Sequence, residues 1–332
     1  MSVGAVAIGR NEGERLVACL ESLNAQGLRI VYVDSGSTDG SPEHARSVGA
    51  EVVDLDLSTP FTAARARNAG AERLLQIAPE TEFIQFIDGD CVLQPGWIDT
   101  GAAELRDDPK LAVVVGTRAE RFPERSLYNM LCDMELDVTP GPIAWFGGDC
   151  LMRARAWRDL GGYDASLIAG EEPDLAQRMR NEGWQLRALD HPMSRHDAAM
   201  TRLSQWWKRN VRGGHAMAQG AWRHGWRGDP YNHRRVLSVF VWTLGPLVLG
   251  VALWFVIGWW AIFALGLYDL LTLKIAWNMR HKPWGTFDTL VWACFIVLGK
   301  WPEMIGVLRF HRHRLTGAGP RIIEHKSADA SA

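Results

Sequence analysis

An α/β fold is expected for the front of this sequence, a mixed but mostly parallel sheet with helices on both faces, followed by a C-terminal membrane-associated helical region. Three observations carry that expectation. Short β-branched runs alternate with amphipathic stretches up to about residue 117, acids and glycines come directly after the runs, and residues 236–268 hold no charge at all. At 332 residues, 47% hydrophobic and 22% charged, the chain can bury a sizeable core, which excludes disorder, collagen and a disulfide-stapled mini-protein. A net charge of −2 gives no overall electrostatic basis for nucleic-acid binding. The five cysteines, Cys19, Cys91, Cys132, Cys150 and Cys294, lie far apart and read as reduced thiols facing the cytosol.

The elements follow in order. The apolar run at residues 3–8 predicts the first strand, and it is too short for a signal-peptide core. An amphipathic stretch over 12–25 predicts a helix. Strands at 30–33, 51–53 and 83–87 then alternate with helices at 41–48 and 62–77. In such sheets ligands bind outside the carboxyl ends of the strands. Arg10-Asn11-Glu12, Asp34-Ser35-Gly36-Ser37 and Asp88-Gly89-Asp90 all fall there. Residues 118–200 are less periodic; they hold Trp145-Phe146-Gly147-Gly148 and a helix at about 172–181, read as the second half of the same domain.

Beyond residue 202 the chemistry changes. Residues 202–235 contain eight Lys/Arg and one acid with four interleaved tryptophans, and 12 of the 16 Trp lie at or after Trp206. Basic residues and Trp beside an apolar run predict an anionic lipid surface. The uncharged stretch, about 50 Å long as a helix, is too long for one span of about 30 Å. A hairpin is therefore expected, with helices at 236–257 and 259–277 around Gly258. The basic loop containing Lys274, Arg280 and Lys282 returns the chain to the cytosol by the positive-inside rule. A third apolar helix, 289–310, is interrupted by Lys300, Pro302 and Glu303 and is expected to be re-entrant or interface-lying, with spanning as the alternative. The domain plan is thus 1–215, a juxtamembrane segment 216–235, membrane helices 236–310 and a basic, disordered tail 311–332.

Several carboxylates carry candidate chemistry. Asp88 and Asp90, separated by Gly89, can share a cation such as Mg²⁺ or Mn²⁺ with substrate phosphates, or form a solvated turn. Asp34 can accept from a base or ribose, or close an Asx-turn before a helix cap. Glu171 and Glu172, at a helix start before Pro173, fit a general base or favourable charges at a helix N-terminus.

Arg10-Asn11-Glu12, Val33-Asp34-Ser35-Gly36-Ser37-Thr38-Asp39-Gly40, Ala66-Arg67-Asn68-Ala69-Gly70, Asp88-Gly89-Asp90 and Gly170-Glu171-Glu172-Pro173-Asp174-Leu175 resemble, in order and rough spacing, glycosyltransferase family 2. The resemblance covers about residues 1–215. It implies the GT-A fold, a nucleotide-sugar donor, a divalent metal and inversion at the anomeric carbon. Carried over, Arg10, Glu12, Asp34 and Arg67 belong to the donor pocket, with Asp34 on uracil or ribose. Asp88 lies near ribose and metal, Asp90 is the metal ligand, and Glu172 is the base with Glu171 as substitute. Trp145, Gly147 and Gly148 look like the acceptor loop. His196 matches a late metal-binding His, against a solvated or structural role. Gln205-Trp206-Trp207-Lys208-Arg209 resembles the processive members' element imperfectly, and Arg209 and Arg212 serve the donor diphosphate or lipid headgroups.

The expected activity is an inverting transfer from a nucleotide sugar, UDP-linked, to a lipid-linked oligosaccharide or glycolipid in cell-surface polysaccharide synthesis. The catalytic domain is expected to face the cytosol at a bacterial inner membrane, with polysaccharide-assembly partners and no nucleic acid. A sugar nucleotidyltransferase and a non-catalytic membrane scaffold are the rival readings; against the first, no Gly-rich N-terminal loop ending in Arg and Lys is present to cradle a triphosphate.

Overall fold

The computed structural model describes residues 2–225 and 231–317. It divides into two compact units, the first ending at Thr201 and the second beginning at Arg202. In the first unit, β1 (Val3–Gly9), α1 (Glu14–Asn24), β2 (Arg29–Asp34), α2 (Ser41–Ser47), β3 (Glu51–Asp54), α3 (Ala63–Ile77) and β4 (Phe83–Asp88) alternate as expected. They form because apolar periodicity matches each element. β1 is buried along Gly4–Ile8, while α1 buries Leu16, Cys19, Leu20 and Leu23 on one helical face. α3 is capped by Thr62, whose side chain accepts from the Arg65 amide. It lies tight on the sheet at Gly70, where any Cβ would collide with Val6.

The less periodic middle resolves into β5 (Cys91–Leu93), α4 (Trp97–Asp107), β6 (Leu111–Glu120), α5 (Leu127–Leu136), β7 (Gly141–Pro142), β8 (Cys150–Arg153), α6 (Ala154–Asp159), α7 (Glu171–Asn181) and β9 (Gln185–His196). One nine-stranded sheet results, in the order β3-β2-β1-β4-β8-β6-β9-β5, with β7 on β9. The front half, β3-β2-β1-β4, is parallel; β8 enters antiparallel between β4 and β6, and β6 and β9 are parallel again. Because β1 is flanked by β2 on one side and β4 on the other, chain direction across the sheet reverses beside it, the place where such sheets bind ligands.

In the second unit, α8 (Leu203–His224) buries Trp206, Val211, Gly214, His215, Ala218 and Ala221. α9 (Tyr231–Ile257) ends at Gly258, which has φ +56°, and a 3₁₀ segment, Gly258–Leu265, leads into α10 (Gly266–Met279). The helix expected to start at residue 259 begins as 3₁₀ instead. α11 (Thr286–Thr316) runs unbroken through Lys300, Pro302 and Glu303, longer than 289–310. Residues 311–316, expected in a disordered tail, are its last turns; 318–332 lie outside the described residues, as do 226–230 of the juxtamembrane segment.

The predicted boundary at 215 falls inside α8, because one apolar stripe runs the length of that helix and packs on α11. Trp206 meets Phe295 edge to face, and Ala218 packs with Val307 and Phe310. At the crossing, a Cβ on Gly214 or Gly306 would strike the backbone of the other helix. Two segments, Asn232–Met279 and Thr286–Thr316, are long and apolar enough to cross a membrane. Trp259, Trp260 and Phe255 stand exposed on the first.

Candidate active site

The carboxyl ends of β1, β2 and β4 are laced together by short polar side chains. Asn11, with φ +55°, donates its amide to Ser37 Oγ (2.9 Å) and accepts the Thr38 amide on Oδ1 (2.7 Å). Asp39 accepts the Gly13 amide (2.9 Å) and the Ser41 amide (3.1 Å). Asp34 is buried at the tip of β2; its Oδ2 accepts the Gly36 and Ser37 amides (2.9 and 2.8 Å), and its Oδ1 accepts the Tyr32 hydroxyl (3.0 Å). The Asx-turn reading of Asp34 is thus realised in the structure. Burial and Asp34 together raise the Tyr32 hydroxyl pKa, so it stays a donor. Glu12 pairs with Arg15 (2.7 Å), and Arg10 holds its guanidinium 4.6 Å from the Phe61 ring centre.

The central feature is Arg67 on α3. Its Nη1 donates to Glu171 Oε1 (2.9 Å) and Glu172 Oε1 (3.0 Å), and its Nη2 to Asp88 Oδ1 (2.9 Å). Burial opposes the guanidinium charge, but Asp88, Glu172 and Glu171 outweigh it and hold it firmly protonated. Glu171 is the enclosed member of the pair, with its side chain 3% exposed, and Glu172 the accessible one at 16%. Burial, reinforced by Glu171, pushes the Glu172 carboxyl up to about 7, with Arg67 acting against the rise.

Gly148 makes this junction sterically possible. A Cβ there would stand 2.6 Å from both Arg67 Nη2 and Asp88 Oδ2. Gly147 faces Arg118 in the same way (2.8 Å), while Trp145 is exposed. Asp149 braces the turn from behind: its Oδ1 accepts the Asp88 amide (3.1 Å) and its Oδ2 the Ser194 hydroxyl (2.6 Å). Burial and then Asp88 raise its carboxyl pKa.

The two acids of Asp88-Gly89-Asp90 take different partners. Asp90 is buried, and its Oδ2 lies 3.5 Å from His196 Nε2. Strand register explains the approach: His196 pairs with Cys91 across β5/β9 and with Glu120 across β6/β9. Glu120 Oε2 lies 2.9 Å from His196 Nδ1. In a neutral imidazole that bond puts the proton on Nδ1 and turns the Nε2 lone pair toward Asp90. A carboxylate oxygen and an imidazole nitrogen facing each other fit a divalent cation whose remaining ligands are phosphate oxygens and water. Among the described residues no three His, Cys, Asp or Glu side chains form a closed metal cage.

The structure therefore brings Arg67, Asp88, Glu171, Glu172 and Gly148 into one contact set, and Asp90 and His196 into another joined to it by Gly89. Arg10, Glu12 and Asp34 line the β1–β2 side, and Arg209 and Arg212 belong to α8 in the second unit. Asn11 and Asp39 lie within the sequence motifs and Asp149 directly follows Trp145-Phe146-Gly147-Gly148, whereas Glu120 and Ser194 carry no local signal in the sequence.

The family glycosyl transferase family 2 matches residues 6–151, which run from within β1 to the first half of β8 and contain both acids of the turn. Through that segment the chain is similar to glycosyl transferase family 2. Among similar proteins, the pre-mycofactocin glycosyltransferase of Mycobacterium tuberculosis is 29% identical over 227 residues, 65% of this chain and 46% of that protein. The chain thus spans about half the length of that relative. The succinoglycan biosynthesis protein ExoA of Rhizobium meliloti is 24% identical over 325 residues, covering 90% of this chain and 94% of that one. A mannosyltransferase from Pyrobaculum calidifontis, solved with GDP-Man and Mn²⁺, shares the fold at TM-score 0.52 and 18% identity, over 91% of this chain and 86% of that one. The sheet is accordingly of the GT-A type.

Proposed function

We propose that this glycosyltransferase moves a sugar from a nucleoside diphosphate, UDP in the first instance, to a hydroxyl of a membrane-borne acceptor, with inversion. The observation that carries the reading is the Arg67 junction. It draws a turn acid at the end of β4 and two acids at the start of α7 onto one buried guanidinium. Glu172, the more accessible acid, takes the proton of the attacking hydroxyl as that oxygen reaches the anomeric carbon from the face opposite the diphosphate. Arg67 holds its carboxylate in place, and Gly148 leaves room for the Arg67–Asp88 contact. Asp90 and His196 are the residues to hold Mg²⁺ or Mn²⁺, which when bound offsets the charge growing on the departing diphosphate. The Pyrobaculum fold relative was solved with GDP-Man and Mn²⁺, which makes GDP-sugars the second class to test.

A lipid-linked acceptor or glycolipid is supported by two apolar segments long enough to cross a bilayer and by the basic residues of α8, with Trp222 exposed among them. Confinement to the bilayer raises the encounter rate with such an acceptor. Similarity to a succinoglycan biosynthesis protein over nearly its whole length supports a role in polysaccharide synthesis, and the basic loop with Lys274, Arg280 and Lys282 supports a catalytic unit facing the cytosol at the inner membrane, beside assembly partners. The experiment is a screen of UDP- and GDP-sugars for release of nucleoside diphosphate by the full chain in detergent, with lipid extract as acceptor and Mn²⁺, Mg²⁺ or chelator. Metal-dependent turnover with one sugar, abolished by Asp90→Ala, is expected. Turnover unaffected by chelator and by Asp90→Ala would overturn the metal assignment.

A further inference from the structure

Where α8 crosses α11 the two backbones nearly touch: a Cβ on Gly306 would stand 2.1 Å from the Val211 carbonyl oxygen and 2.6 Å from the His215 amide nitrogen. His215, 1% exposed, is packed at this crossing, with its ring edge to face on Phe310 at 5.4 Å. Its other ring neighbour is His313, about one turn farther along α11, with ring centres 6.1 Å apart. A neutral imidazole carries one N–H donor and one lone pair. Neither ring nitrogen of His215 has a hydrogen-bond partner, and Nδ1 of His313 has none. One turn along α8, Gln219 Oε1 is also buried and unpaired. Gln219 lies four residues after His215 and three before Trp222, whose ring carries the Arg314 guanidinium of α11 at 3.2 Å, so it belongs to the same face of α8.

Buried polar groups are almost always paired, so several orphans gathered in one place mark a ligand site. Packing on Phe310 accounts for the burial of the His215 ring but uses neither nitrogen. Burial, reinforced by His313, pushes the His215 pKa down to about 4, so at neutral pH the imidazole has a lone pair to offer. With metal–nitrogen bonds of about 2.0–2.1 Å, two imidazoles sharing one ion have ring centres roughly 5–6.5 Å apart, and the His215–His313 pair falls in that range. Neutral nitrogens and an amide oxygen suit Zn²⁺ and its first-row neighbours, whereas Mg²⁺ is bound through carboxylates, phosphates and water. We propose that His215 and His313 hold a transition-metal cation, Zn²⁺ in the first instance, with Gln219 and water completing its shell. The ion clips α8 to α11 within the helical unit and takes no part in sugar transfer, so the site is separate from the metal proposed at Asp90 and His196.

The test uses the untagged full chain in detergent, carrying His196→Ala so that the Asp90 site adds no zinc, stripped with chelator and dialysed against Zn²⁺ or Mg²⁺. Metal content and melting temperature are measured with and without a further His215→Phe or His313→Phe. The His196→Ala chain is expected to keep about one zinc ion and no magnesium, and to melt at higher temperature with zinc. Each Phe variant is expected to bind zinc at least about tenfold more weakly and to melt at the same temperature with and without it. Zinc held equally well by both Phe variants overturns the site, because other histidines then bind it. A folded His196→Ala chain that keeps no zinc overturns it as well. Should His215→Phe fail to fold, His313→Phe, at a half-buried position, decides alone.

Discussion

Arg67 donates to three carboxylates from a position where its side chain is 3% exposed, so its removal strands Asp88, Glu171 and Glu172 together. Breaking a buried charge cluster from one side costs about 3–5 kcal/mol. Arg67→Met should lower the melting temperature by roughly 10 °C, read by thermal unfolding in detergent, whereas Arg73→Met, at an exposed pair with Glu51, should shift it little. Glu172 carries the pH dependence. Its carboxyl, pushed up to about 7 chiefly by burial, is a neutral acid below that pH and a base above it. Rate (kcat/KM) should therefore fall about tenfold per pH unit below 7, and Glu172→Gln should lower kcat by about 10²–10⁴-fold and erase that limb. The same shift favours the protonated acid in the folded chain. Its contribution to stability is full below pH 4.5 and declines as pH rises through about 7.

At the scale of elements, α8 and α11 meet where Gly214 and Gly306 remove both side chains from the crossing. Gly306→Leu should separate the helices, seen as faster proteolysis within 203–224, while Leu308→Ala, at an exposed position on the same helix, should not. The parallel front of the sheet was legible residue by residue. Runs at 3–8, 30–33, 51–53 and 83–87 are short, apolar and bounded by turn residues, and β1 through β4 sit on them within a residue or two. The back half was not. β8 runs antiparallel between β4 and β6, and β9 carries bulged register against β6, so neither leaves a regular alternation in sequence.

On the scale of the whole molecule, an α/β unit of GT-A type is followed by a helical unit whose α9–α11 region includes two segments of bilayer-crossing length. The full chain should sediment with membranes, resist alkaline extraction, and turn over a lipid-borne acceptor faster than a soluble analogue of the same sugar. Sequence by itself settled where strands end and which acids stand at those ends, because apolar periodicity and turn chemistry are local. It also settled the apolar length of the C-terminal segments, a matter of composition. Only tertiary structure decided that residues 104 and 105 positions beyond Arg67 would share its guanidinium, and that His196 would face Asp90. Those meetings depend on strand register and on the crossover that carries α7 back over the sheet, which no short stretch of chain encodes.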